Sequence, residues 1–180
     1  MAVENTLRDQ MLAAVPSLRA FAISLTNNRD RADDLVQDTL LRAWTYSDRF
    51  ERGTNLEAWL FTILRNRFHT EYRKRSREVE DADGSYAGRL KVQPEQGARL
   101  DFEDFCTALT KLPSDQREAL LLVGAQGMSY EEVAAICDVP VGTIKSRVNR
   151  ARSRLVSLLD LNDEAEIGLD DVTKAALTAG

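Results

Sequence analysis

Ser129-Tyr130-Glu131-Glu132-Val133-Ala134-Ala135-Ile136-Cys137-Asp138-Val139-Pro140-Val141-Gly142-Thr143-Ile144-Lys145-Ser146-Arg147-Val148-Asn149-Arg150-Ala151-Arg152-Ser153-Arg154-Leu155 is the stretch that decides the fold. It opens on a capping box, in which the Ser129 hydroxyl and the Glu132 carboxylate each satisfy an exposed backbone N–H. Val133, Ala134 and Ile136 follow at helical spacing. Asp138 to Gly142 reads as a tight turn, and Thr143 to Leu159 as a longer helix with Ile144, Val148, Ala151 and Leu155 on one stripe. A short capped helix, a tight turn and an arginine-rich second helix make a helix-turn-helix. The second helix of that motif enters the major groove with its N-terminal residues against base edges. Lys145, Ser146 and Asn149 or Arg150 lie near that end, about one turn apart. Lysine and arginine bridge the O6 and N7 acceptors of guanine, so a G-containing site is the natural target. Arg152 and Arg154, further along, suit phosphates.

The rest of the chain is helical in pattern too. No segment of the 180 residues sustains period-2 alternation. A first stripe of Leu7, Met11, Leu12 and Val15 ends at Pro16, which a first helical turn tolerates and which therefore starts a second helix through Leu18, Phe21, Ala22 and Leu25. After Asn27-Asn28-Arg29-Asp30, with Asp30 the candidate cap, a third stripe runs through Ala32, Leu35, Val36, Leu40, Ala43 and Trp44. Residues 47–53 are polar apart from Phe50. Thr54-Asn55-Leu56-Glu57 has capping-box spacing and opens a helix bearing Trp59, Leu60, Ile63, Leu64 and Phe68.

Periodicity collapses over residues 78–100, an acidic, turn-prone linker with room for one short helix near Tyr86–Leu90. It resumes with Phe102, Phe105, Leu109 and Leu112. A further helix, with Ser114 as candidate cap, carries Ala119, Leu120, Leu122 and Val123 before a turn over residues 124–127. The expected fold is all-α: two small helical domains, residues 1–77 and 101–160, joined by a flexible linker. An acidic tail over residues 161–180 follows, with spacing for a weak amphipathic helix.

Charge refines this picture. The formal net charge is −5, which taken whole argues against a polyanionic partner. The distribution reverses that inference. Residues 65–77 hold six basic groups against Glu71 alone, and residues 141–155 hold five against none. Those two islands carry a local charge of +10, and the remainder carries −15. Glutamates that would balance a merely solvated helix are missing from the second island.

Other classes are disfavoured. No apolar run approaches the length of a membrane span, and acids stand where a signal peptide needs a basic and then apolar stretch, so a cytoplasmic protein without membrane insertion is expected. Cys106 and Cys137 lie far apart in apolar helical patterns and read as buried thiols. His69 is the only histidine; with Glu71 it forms a pair that no further His or Cys completes, so no metal site is expected. No nucleophilic triad or phosphate-cradling glycine loop appears, so neither catalysis nor a cofactor is expected.

The N-terminal module gathers Trp44, Tyr46, Phe50, Trp59, Phe61, Phe68 and Tyr72 next to the first basic island, a combination that suits unpaired bases. Trp59 and Phe68 have core spacing; Phe50, in a polar loop, is the better stacking platform. Asp33, Asp34, Gln37 and Asp38 share one helix at i, i+3 and i+4 spacing. They form either a solvated face or an acidic docking surface for a basic partner.

Three stretches, in order along the chain, resemble the extracytoplasmic-function (ECF) group of bacterial RNA polymerase sigma factors. They are Ala32-Asp33-Asp34-Leu35-Val36-Gln37-Asp38-Thr39, Ala58-Trp59-Leu60-Phe61-Thr62-Ile63-Leu64-Arg65-Asn66, and Gly142-Thr143-Ile144-Lys145-Ser146-Arg147-Val148-Asn149-Arg150-Ala151-Arg152. The resemblance implies that region 2 docks on the clamp helices of the polymerase's largest subunit through Asp34, Gln37 and Asp38. The loop holding Phe50 and Asn55, and the helix face holding Arg65, Asn66, His69 and Arg73, would melt and capture the −10 element. Region 4 would read a GGAA-like −35 element through Lys145, Ser146, Arg147 and Arg150, and touch the polymerase flap. The linker would thread toward the catalytic cleft. Arg77-Glu78-Val79-Glu80-Asp81 and Gln116-Arg117-Glu118-Ala119-Leu120 look like the general-stress subgroup, whose members are held by a small anti-sigma protein that a sigma-mimicking response regulator removes.

The linker fits such a two-site protein. Its 23 residues span about 76 Å when extended but only about 27 Å as a coil. Two turns of B-DNA cover roughly 70 Å, so both modules reach one promoter only when held apart. Two other readings remain open from sequence: a plain helix-turn-helix regulator, and a sigma-like decoy that only binds an anti-sigma protein. The aromatic and basic N-terminal module opposes the first. Lys145, Arg147 and Arg150 oppose the second.

Overall fold

The computed structural model describes residues 6–80 and 98–159, with side chains over 6–75 and 104–159. The short helix expected near Tyr86–Leu90 and the acidic tail lie outside the described residues. The chain divides into two units, Met1–Leu90 and Lys91–Gly180. Among the described residues all regular structure is helical.

In the first unit α1 (Leu7–Ala13), α2 (Val15–Thr26), α3 (Arg29–Thr45) and α4 (Leu56–Glu80) form a bundle. Each start has a local cause. Thr6 and Asp9 make a reciprocal capping box on α1, and Pro16 sits in the first turn of α2. Asn28, not Asp30, caps α3: its side chain accepts the Arg31 N–H at 2.9 Å, while Asp30 falls inside the first turn. The expected Thr54 box is also displaced by one residue. Asn55 accepts the Ala58 N–H at 3.2 Å, and the Thr54 hydroxyl instead donates to the Glu51 carbonyl at 2.7 Å. Ser47–Arg49 adds one turn of 3-10 helix to the expected loop.

Helix α2 packs on α3 and α4, α3 on α4, and α1 against α2 and α4. Leu18, Phe21 and Ala22 of α2, Ala32, Leu35 and Val36 of α3, and Leu60, Phe61 and Leu64 of α4 are all buried between these helices. Phe21 and Phe61 meet edge to face at 5.2 Å, the arrangement that aromatic quadrupoles favour. Thr39 is fully buried, but its hydroxyl donates to the Leu35 carbonyl one turn back, which satisfies it. Helix α4 continues through residues 78–80, which the periodicity had placed in the linker.

The second unit contains α5 (Ala98–Thr110), α6 (Ser114–Leu120), α7 (Tyr130–Cys137) and α8 (Val141–Leu159). Helix α5 likewise starts within the expected linker. Ser114 makes no cap. Pro113 occupies that position, and its carbonyl accepts the Gln116 and Arg117 N–H groups. Helix α6 widens into a π turn over Leu121–Ala125, closed by the Gln126 N–H on the Leu121 carbonyl. Arg117 to Leu122 are all buried, so α6 is covered on every side where the π turn begins, whereas Val123 is half-buried.

The helix-turn-helix is tighter than expected. Ser129 and Glu132 form the reciprocal capping box. Asp138 closes α7 in the left-handed region at φ 53°, which a short polar side chain tolerates. Pro140 then accepts the Thr143 N–H, so α8 begins two residues earlier than read, at Val141. Ile144, Val148, Ala151 and Leu155 are at most 1% exposed and form the seam that α5, α6 and α7 cover.

Candidate functional site

Helix α8 presents its polar side as the sequence pattern implies. With the core stripe against α5, α6 and α7, Lys145, Asn149, Arg150 and Arg154 are exposed and Ser146 is half-exposed. No acidic residue lies on α8. The surface is therefore a cationic strip with one amide and one hydroxyl near its N-terminal end, a donor set suited to guanine edges and phosphates.

Two expected members of this set are placed differently. Arg147 is 21% exposed, and its Nε donates to the Asp115 carboxylate on α6 at 3.1 Å. Arg152 is half-buried, with a buried Nε that has no hydrogen-bond partner among the described residues. Lys145 projects beside α7, its Nζ 5.9 Å from the centre of the Tyr130 ring. Asp115 and Tyr130 were not legible as contributors, because only packing brings α6 and α7 alongside those positions.

In the first unit, Asn66, Arg73, Lys74 and Arg75 are exposed on α4, and Arg65 and His69 are half-exposed. The Arg73 Nε donates to the His69 carbonyl at 3.2 Å, and the His69 ring meets the edge of Phe68 at 5.3 Å. Arg67 turns to the other side. It pairs with Asp38 on α3, and with Glu71 at 3.1 Å.

The aromatic assignments need correction. Phe50 is not a free platform: it packs on Trp59 at 5.3 Å, so each half-buries the other, and Trp59 is not a core residue. Phe68 is in the core as read. Among the described residues the exposed rings are Trp44, Tyr46 and Tyr72, with Arg49 stacked 4.7 Å over Tyr46. Asn55 is exposed but engaged as the α4 cap.

The α3 residues expected to dock a partner also divide. Asp34 and Gln37 are exposed, but Asp38 is held by Arg67 and by Arg42 at 3.3 Å. Gln37 instead belongs to an open groove between α1 and α3, lined by Arg8, Met11, Leu12, Leu40, Leu41 and Trp44. Leu12, Leu41 and Trp44 are 54%, 68% and 59% exposed there. Asp34, Gln37, Leu41 and Trp44 form one stripe at helical spacing, an acid-tipped apolar face. Trp44 closes the third apolar stripe of the sequence, but its i+3 and i+7 relation to Leu41 and Gln37 sets it on this outer face.

Among the described residues no cluster of three or more His, Cys, Asp or Glu could hold a metal, and no helix is long and apolar enough to cross a membrane. Cys106 is half-buried and Cys137 buried, and neither forms a disulfide.

This geometry has close parallels. The Sigma-70 region 2 family model matches residues 12–78, and the Sigma-70, region 4 model matches residues 103–155. The ECF RNA polymerase sigma factor EcfG of Rhodopseudomonas palustris is 65% identical over 177 residues, 98% of each chain. The sigma factor RpoE of Bartonella quintana, solved in complex with the anti-sigma factor NepR, has a TM-score of 0.81 at 53% identity over 88% of this chain and 99% of its own. CnrH in complex with the cytosolic domain of CnrY has a TM-score of 0.65 at 28% identity, over 90% of this chain and 92% of its own. With region 2 and region 4 each matched, and one relative matched end to end, the chain belongs to the ECF group of RNA polymerase sigma factors.

Proposed function

We propose that the chain recruits core RNA polymerase to a two-part promoter, with α8 reading the −35 element and the exposed face of α4 engaging the −10 element. The observation that carries this is the acid-free outer face of α8, where Lys145, Ser146, Asn149 and Arg150 lie together near the helix N-terminus. An N-terminal cluster of donors on a second helix-turn-helix helix is what base-edge contact requires. Arg154 is placed for phosphate. Arg65, Asn66, His69 and Arg73 supply the cationic, hydrogen-bonding face for the −10 strand, with Phe50 and Trp59 as a paired aromatic wall beside it. The region 2 unit, residues 1–77, docks on the largest-subunit clamp helices through Asp34 and Gln37, with Leu41 and Trp44 as the apolar part of the contact. Asp38 acts by bracing α4. The region 4 unit, residues 101–160, meets the flap, and residues 78–100 carry the connection. The chain supplies recognition rather than a bond-making step, and it acts in the cytoplasm, where polymerase and chromosome are.

Regulation follows the solved relative. RpoE of Bartonella quintana is bound by NepR, and at 53% identity the same kind of small anti-sigma partner is the natural inhibitor here, in a stress response. A decoy that only titrates such a partner would not need an exposed reading face on α8. DNase footprinting of the reconstituted holoenzyme tests the proposal. Protection of two separated promoter elements is expected; protection of one element only, or none, would contradict it.

A further inference from the structure

The cations of α8 do not stand alone. At about 100° per residue, Ser146, Asn149 and Arg150 fall opposite the core stripe, while Lys145 and Arg147 fall about a quarter-turn to either side of it. Each flanking cation meets a residue from a different helix. Arg147 is drawn to the Asp115 carboxylate of α6 at 3.1 Å and is only 21% exposed, while Asp115 is 47% exposed. Lys145 lies 5.9 Å from the Tyr130 ring. Tyr130 is the first residue of α7, just after the capping box that fixes where this helix starts. Arg150, by contrast, is exposed, and Asn149 beside it is exposed too.

An arginine bound through Nε to a carboxylate keeps its terminal nitrogens in one plane and direction. A lysine beside an aromatic ring loses part of its rotamer freedom. Both losses precede DNA contact, so they lower the cost of fixing these side chains when DNA binds. Flank positions on a helix lying in the major groove face the two sugar-phosphate backbones, not the base edges.

We propose that Asp115 and Tyr130 are positioning residues for −35 recognition: they fix Arg147 and Lys145 as phosphate clamps on the two sides of α8, and thereby set the register in which Asn149 and Arg150 meet the bases. The inference rests on α8 being the −35 reader. It reassigns both Arg147 and Lys145 from base contact to backbone contact and adds two residues, from α6 and α7, to the recognition apparatus. Register is the point of the device. A clamp that slackens costs affinity on every sequence, and it also lets the reading face shift against the bases.

The test uses the full chain in holoenzyme with a library of promoter duplexes, fixed at −10 and randomised at −35. Arg147→Ala should weaken binding across the whole library, lower the salt slope by about one, and reduce the preference for the best −35 sequences at least as much as Asp115→Ala does. Arg150→Ala should flatten the base preference. Asp115→Ala should reduce the preference for the best −35 sequences by roughly two- to fivefold, the range a half-exposed ion pair supports. Asp115→Glu should restore most of that preference, and Asp115→Ala should add nothing to Arg147→Ala. Tyr130→Phe, which keeps the ring, should behave as the parent, whereas Tyr130→Leu should not. Melting temperature, measured in parallel, separates a purely structural role, which would lower stability and leave the base profile intact. An unchanged profile in Asp115→Ala and Tyr130→Leu, or additive effects of Asp115→Ala and Arg147→Ala, would overturn the inference while Arg150→Ala still shows α8 to be the reader. If Arg150→Ala also leaves the profile unchanged, the −35 reading of α8 falls and the inference with it.

Discussion

Gly142 looks like a turn residue in the sequence and is not one. It lies in the first turn of α8, its φ is not positive, and a Cβ built on it meets nothing within 4 Å. Gly142→Ala should therefore raise thermal stability by about 0.4–1 kcal/mol, by removing backbone freedom from the unfolded chain; differential scanning calorimetry reads this directly. Gly127, at φ +64°, and Asp138, at φ 53°, are the residues that turn the chain around α7. Asp33 offers a pH test. The Arg19 guanidinium, whose Nε donates to it at 2.6 Å, holds the Asp33 carboxyl below its ordinary value. Folding lowers this pKa, so the contribution is present above about pH 4 and is lost as pH falls through the folded value. Urea midpoints measured from pH 6 to pH 3 should fall less steeply for Asp33→Asn than for the parent chain.

Helices were legible where an apolar stripe, a cap and a turn agreed. Ile144, Val148, Ala151 and Leu155 showed both the α8 seam and, by exclusion, its exposed face. The Ser129 box and Pro16 marked helix starts correctly. Caps were misplaced by one or two residues at Asn28 and Asn55, because several polar residues stood in a row and only backbone geometry chooses among them; at Pro113 the helix starts with no side-chain cap at all. Spacing also shows which residues share a face without showing what covers it. That is why spacing gives Trp59 to the core and Phe50 to a free platform, when the two rings lean on each other and each is half-buried. The same limit hid Asp115 and Tyr130, whose partners lie on another helix. In the docking proposed above, the exposed apolar stripe of α3 would supply the binding energy and Asp34 the orientation. Trp44→Ala should accordingly weaken core polymerase binding by about 2 kcal/mol, roughly thirtyfold, with melting temperature little changed because the ring is 59% exposed. Fluorescence anisotropy of labelled chain titrated with core enzyme measures it.

The molecule as a whole carries a net charge of −5 that describes neither working surface. Two basic islands totalling +10 sit in a remainder of −15, so the free chain should bind DNA weakly and gain affinity only as part of holoenzyme. Gel shifts of free chain against holoenzyme at one salt concentration should show this difference; equal affinity would contradict it. The islands also divide the labour: the α8 face has no acid near it on its own helix, whereas α4 shares its cations between solvent and the acids of α3 through Arg67 and Asp38. The central claim is that these two surfaces together direct initiation. Run-off transcription with core polymerase, on a promoter selected by the holoenzyme, tests it most directly. The account predicts a specific transcript that requires both the −35 and the −10 element and loses its −35 dependence in Arg150→Ala. A chain that binds core polymerase yet yields no promoter-specific transcript, or one indifferent to the −35 sequence, would contradict it.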